Sequence, residues 1–122
     1  MDNLILGHKK CSTTNKLIKL LHHERIRFKL IDVVEETMDK NLLLEIIKLS
    51  GKEMNHFFNK NNKYFNEKYG IKYIEGLSDE EKLALLLEHG QIMKRPILVL
   101  DDKVFVGFDV HAITNYILET TG

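Results

Sequence analysis

Three observations predict an α/β fold for this chain. Short apolar runs, "LILG" at 4–7 and the two inside "RPILVLDDKVFVGF" at 95–108, have the length and bounding turns of strands. Longer segments repeat their apolar residues at helical spacing instead. The two kinds follow one another as strand, helix, strand, several helices, β-hairpin and terminal helix, an order that builds helix layers on a sheet.

Each element has its own local reason. "LILG" reads as a short buried strand that runs into a loop at His8 and Lys9. From Ser12 the spacing turns helical, with Leu17, Leu20 and Leu21 on one face, Lys16 and Lys19 elsewhere, and Ser12, Thr13 and Thr14 as N-capping hydroxyls. "RIRFKLIDV" at 25–33 alternates Phe28, Leu30 and Asp32 against Arg27, Lys29 and Ile31, so a second strand is expected there. A crossover of this kind joins parallel neighbours, which puts the end of the first strand and the start of the helix at one edge of the sheet.

"DKNLLLEIIKLSG" at 39–51 carries Leu43, Ile46 and Ile47 at helical spacing and stops at Gly51, a residue suited to a left-handed C-terminal cap. In "EMNHFFNKNNKYFNEKYG" at 53–70, Phe57, Phe58, Tyr64 and Phe65 can anchor short helices, while five asparagines between 55 and 66 favour breaks over one long helix. "SDEEKLALLLEHG" pairs Ser78 with Glu81 in a capping box, then offers Leu83, Leu86 and Leu87 for burial before Gly90. "RPILVLDDKVFVGF" gives two strands around an Asp-Asp-Lys turn, and "DVHAITNYILET" closes with Val110, Ile113 and Ile117 on one helical face.

Length and composition bound the function. With 122 residues and 43% apolar content, one core and a single domain over 1–122 are expected, as a monomer. Lysine plus arginine equal aspartate plus glutamate at 18 each, which argues against the broad positive field that holds a protein on nucleic acid or anionic lipid. No apolar run approaches the roughly 18–20 residues of a membrane span, and "MDNLILGHKK" lacks the pattern of a signal peptide. The expected location is the cytoplasm.

Chemistry concentrates in "HKKCSTTNK", residues 8–16, which hold the chain's one cysteine, Cys11. Alone, it forms no internal disulfide and no cysteine-rich zinc site, and it is either a small packed side chain or a reactive thiol. A helix start presents unpaired N–H groups and the positive end of the helix dipole, both of which favour thiolate. Lys9 and Lys10 add positive charge or are simply solvated, and His8 is a possible proton acceptor or donor three residues before the thiol. His22 and His23 fall near a helix end, where cations suit the dipole, and no His, Cys, Asp or Glu set has metal-ligand spacing along the chain, so no metal is expected.

The order of elements is that of the thioredoxin fold, and the sequence resembles the ArsC/Spx group over nearly its whole length. The resemblance rests on the cysteine in "KKCSTTNK", on "SGKEMNHFFNKNNKYFNEKYGI", on "KRPILV" and on "DDKVFVGF". It implies a thioredoxin-like α/β fold whose core is about 1–36 and 91–122, with about 37–90 as a helical insertion. It also implies Cys11 as the nucleophile and a cis bond between Arg95 and Pro96, against a plain strand-initiating trans proline. Ser12, Thr13, Thr14, Arg95, Pro96 and Asn61 become the candidate substrate contacts. Many relatives have a second cysteine three residues after the first, where this chain has Thr14, so a Cys-x-x-Cys disulfide is excluded. Any redox cycle then runs through a mixed disulfide with a small thiol or a protein, with no bound cofactor and with an external reductant such as a glutathione-like thiol, thioredoxin or glutaredoxin. Arsenate reductases of the group use three arginines for the oxyanion. Here Arg95 stands at one of those places, Asn61 near another, and no arginine follows Pro96. Arginine's planar charged fork has no equivalent in asparagine, which argues against arsenate reduction. The alternative function is a Spx-like regulator docking on the C-terminal domain of the RNA polymerase α subunit, with the region around Gly51 as contact; a chain with neither activity is the third reading.

Overall fold

A computed structural model describes residues 1–121. Four strands, β1 (Leu4–Gly7), β2 (Lys29–Asp32), β3 (Ile97–Leu100) and β4 (Lys103–Val106), form one sheet in the order β2-β1-β3-β4. β1 runs parallel to β2, with Leu4 opposite Lys29 and Gly7 opposite Asp32; it runs antiparallel to β3, and β3 to β4. Six α-helices complete the fold: α1 (Ser12–His23), α2 (Lys40–Ser50), α3 (Lys63–Lys68), α4 (Ile71–Glu75), α5 (Asp79–Glu88) and α6 (Val110–Thr121). The arrangement is thioredoxin-like, as the element order predicts.

The central strands β1 and β3 are buried on both faces, which is why they read as unbroken apolar runs. Successive side chains alternate between two cores. Ile5, Leu98, Leu100 and Phe105 meet Leu17 and Leu21 of α1 and Ile113 and Ile117 of α6. Leu4, Leu6, Ile97, Val99 and Val104 meet Leu43, Ile46 and Ile47 of α2, then Phe57, Phe58, Phe65, Leu83 and Leu86 beyond it. Residues from the 37–90 segment thus supply most of the cover on one face of the sheet.

The caps follow the sequence signals. Asp39 accepts from the Leu42 amide at 3.0 Å at the start of α2, and Gly51 closes that helix with φ 67°. Ser78 and Glu81 make both bonds of the capping box, at 3.2 and 3.1 Å. Asparagines do the work of chain breaking: Asn62 caps α3 through the Phe65 amide at 2.8 Å, and Asn66 bonds the Lys60 carbonyl at 2.8 Å. In the hairpin, Asp101 and Asp102 both have positive φ, 51° and 65°, the backbone that a two-residue turn between twisted strands requires.

Three expectations need correction. The second strand begins at Lys29 rather than in the arginine-rich stretch before it, because Arg25 (φ 58°) and Ile26 bond back to His22 and Leu21 and terminate α1. Tyr64 is 37% exposed, since on a helix of six residues only its neighbour Phe65 can face the core. Val110 is 42% exposed at the first position of α6, while Ile113 and Ile117 of the same face are buried.

Gly51 and Gly90 serve different physical needs. A Cβ at Gly51 would meet nothing within 4 Å, so only its left-handed backbone disfavours a side chain. A Cβ at Gly90 would overlap the backbone carbonyl of Val33, which ties the 90s loop to the end of β2. In urea unfolding, Gly51→Ala is expected to lose about 1–2 kcal/mol, and Gly90→Ala about 3 kcal/mol or more, because a backbone neighbour must move.

Candidate functional site

Where β1 ends, the chain turns through His8, Lys9 and Lys10 into α1. Cys11 is the N-cap residue of that helix, with φ −87° and ψ 120°. Its amide donates to the His8 carbonyl at 2.8 Å, closing the turn, and its own carbonyl accepts from the Asn15 amide at 3.1 Å. The thiol is partly buried and makes no capping hydrogen bond of its own. Burial pushes its pKa up, but the Thr14 amide and hydroxyl, the Thr13 amide and the Arg95 guanidinium together favour the charged form more strongly. The net result is a thiol held below its ordinary pKa, with no acidic residue in the first turn of α1 to oppose it.

Thr14 shows why the helix can start so close to the strand. It is completely buried, and a Cβ at Gly7 would lie 2.5 Å from its Cγ2 and 2.7 Å from its Oγ1. Glycine therefore leaves room for Thr14, whose hydroxyl accepts from the His8 amide at 3.4 Å. Ser12 is exposed and Thr13 half-buried.

Arg95 approaches the thiol from the loop before β3, and its bond to Pro96 is cis, as the resemblance implies. Its Nη1 donates to the Gly90 carbonyl at 2.9 Å, which anchors the guanidinium to the glycine packed against Val33. Its Nε is buried without a hydrogen-bond partner among the described residues.

The other candidates are arranged differently. Lys9 reaches Glu35 at 2.8 Å, so its charge is engaged away from the sulfur, and Lys10 is exposed with no ion pair among the described residues. The His8 ring turns to Asp32, with Nδ1 at 3.0 Å from Oδ1 and 3.1 Å from Oδ2. Facing a carboxylate, Nδ1 carries a proton and donates. Asn61 is exposed beside a cleft of about 230 Å³ lined by His56, Phe58, Asn59, Lys60 and Lys94; Cys11 does not line it.

Asp32, which the sequence pattern marks only as a strand residue, organises this end of the sheet. It is 6% exposed and accepts from the amides of Lys9 (3.1 Å), Val34 (3.0 Å) and Glu35 (3.1 Å) as well as from His8. The available signal was a carboxylate closing the apolar run "KLIDVV". The fold also brings His8, Asp32 and Glu35 within 4.8 Å of one another, although no metal-ligand spacing marks them along the chain. Both Asp32 oxygens and Glu35 Oε2 are already committed to amides, His8 and Lys9, so this cluster is an internal hydrogen-bond hub.

Burial opposes the charge on Asp32, but the Lys9 and Glu35 amides, His8 and the Val34 amide outweigh it and hold the carboxyl at about 2, against 3.8 ordinarily. A depressed folded-state pKa stabilises the fold above the unfolded value, and that stability is lost as pH falls from about 4 towards about 2. Asp32→Asn is expected to lower stability at pH 7 by about 2 kcal/mol. It should also flatten the acid limb, which urea midpoints collected from pH 6 to pH 2 would check.

The ArsC family profile matches residues 6–116. The chain is 30% identical over 101 residues to the uncharacterized protein YusI of Bacillus subtilis (strain 168), covering 83% of this chain and 86% of that one. Among solved structures, an ArsC family related protein from Bacteroides fragilis superposes with a TM-score of 0.80 at 30% identity, over 94% of this chain and 97% of that one. SACOL0876 from Staphylococcus aureus COL does so with a TM-score of 0.80 at 32% identity, over 93% and 96%. Profile, relative and fold agree, and this chain is a member of the ArsC family.

Proposed function

We propose that the protein is a monothiol reductase that exchanges mixed disulfides through Cys11. The observation that supports this reading is the setting of the thiol: at a helix N-cap, partly buried, with the Thr13 and Thr14 amides, the Thr14 hydroxyl and the Arg95 guanidinium all favouring its anion. The Cys11 thiolate attacks one sulfur of a disulfide between a substrate protein and a small thiol. The S–S bond of the substrate breaks, the protein leaves as a thiolate that takes up a proton, and Cys11 is left disulfide-bonded to the small thiol. A second small thiol, as its thiolate, attacks that sulfur and frees Cys11. The substrate is reduced, two small thiols end as one disulfide, and no second cysteine is needed. Arg95 and the amides of Ser12 to Thr14 orient the anionic end of the incoming thiol. A reducing compartment such as the cytoplasm supplies the reductant.

Arsenate is a poor fit for the same site. Arg95 is the arginine that favours the Cys11 anion, and Asn61 borders a separate cleft. Docking on an RNA polymerase subunit through Gly51 gains no support from its geometry, which helix capping accounts for.

Alkylation rates measured against pH test the thiol reading. The rate should rise through an inflection below that of a free cysteine thiol, because thiolate is the reacting form. Arg95→Ala should move the inflection upward and Lys9→Ala should leave it in place, since Lys9 is held by Glu35. An inflection at or above the free-thiol value would sink the proposal. Arsenate reduction coupled to glutathione and glutaredoxin should be undetectable, whereas release of glutathione from a glutathionylated protein should be measurable and should vanish in Cys11→Ser.

A further inference from the structure

A large cleft lies away from the thiol. It opens between the C-terminal end of α1 and the start of β2, about 18 Å of helix from Cys11. Its volume is about 680 Å³, and it is lined by His22, Arg25, Ile26, Arg27, Phe28 and Leu30. An adjoining cavity of about 370 Å³ adds Lys29 and brings in Asp2, the one acidic residue lining either space. In a chain with 18 cations and 18 anions, such a concentration is local. Arg25, Arg27 and Lys29 form no ion pair among the described residues, while the Phe28 ring packs against His22 with centroids 5.4 Å apart.

Part of the backbone beside these cations, at Phe28 and Leu30, also lacks a partner among the described residues. β2 is an edge strand whose one partner is β1. The amides of Lys29 and Val33 donate to Asn3 and Gly7, so the odd-numbered residues face β1, and by alternation Phe28 and Leu30 direct their N–H and C=O groups outward. The Asp32 amide is closed by Glu36 Oε2 at 3.1 Å, which limits the open edge to Phe28–Leu30.

We propose that this edge and cleft form a docking site for an extended acidic peptide segment carrying one apolar anchor. The peptide adds a strand to β2 through the outward groups of Phe28 and Leu30. Its carboxylates meet Arg25, Arg27 and Lys29, and its anchor packs on Phe28 and Leu30. The inference does not depend on the chemistry of Cys11.

The probe is a fluorescein-labelled peptide, Asp-Glu-Val-Glu-Phe-Glu-Glu, followed by anisotropy at low salt and by amide chemical shifts. Saturable binding below about 1 mM is expected, weakening with salt and shifting the amides of Phe28 and Leu30. The surface double variant Arg25→Glu with Arg27→Glu, confirmed folded by circular dichroism, should bind at least about tenfold more weakly. Cys11→Ser should bind as the parent does, which separates this proposal from the thiol reading. No binding up to about 1 mM would mean that the cations merely blunt an edge strand, and the proposal fails. It fails equally if a peptide with proline at alternate positions binds as well, if charge reversal has no effect, or if oligouridylate binds the same residues more tightly than the peptide.

Discussion

The carboxylate of Asp32 is the interaction on which this end of the molecule depends. It stands at the C-terminal end of β2 and gathers amides from the turn after β1 and the turn after β2, together with the His8 ring. Hydrogen bonds to a charged acceptor are each worth about 1.5–3 kcal/mol, and a buried carboxylate left without them would be very costly. The two turns are therefore held in register by one group. Because the Cys11 amide bonds to the His8 carbonyl, the cap of α1 is positioned through the same hub.

The opposite wall of the site is tied to the same strand end. Gly90 packs against Val33, the residue after Asp32, and the Gly90 carbonyl receives Arg95. Thiol and guanidinium thus approach each other from separate loops, each braced on the end of β2. Their relation is one of field rather than contact chemistry: Arg95 and the amides of α1 offset the cost of burial and leave the sulfur biased towards its anion.

Local signals explain how much of the fold was readable. Unbroken apolar runs marked the buried strands β1 and β3, the Ser78–Glu81 box marked α5, Gly51 marked the end of α2, and the asparagines marked the broken helical region. The errors arose where one pattern serves two structures. Alternation in the arginine-rich stretch suited a strand, but the C-terminal turn of α1 took those residues first, and helical spacing could not reveal that Val110, the first residue of α6, stays exposed.

By itself, the sequence determined the order of elements, the single cysteine at a helix start and the proline before β3, because periodicity, capping and proline geometry act within a few residues of chain. Tertiary structure alone decided which charges meet. His8 and Asp32 are 24 residues apart and Arg95 is farther still from Cys11, so only the parallel pairing of β1 with β2 and the return of β3 beside β1 could bring them together. Lys9, near the thiol in sequence, was a candidate either to add positive charge there or to be solvated, and in the fold it pairs with Glu35.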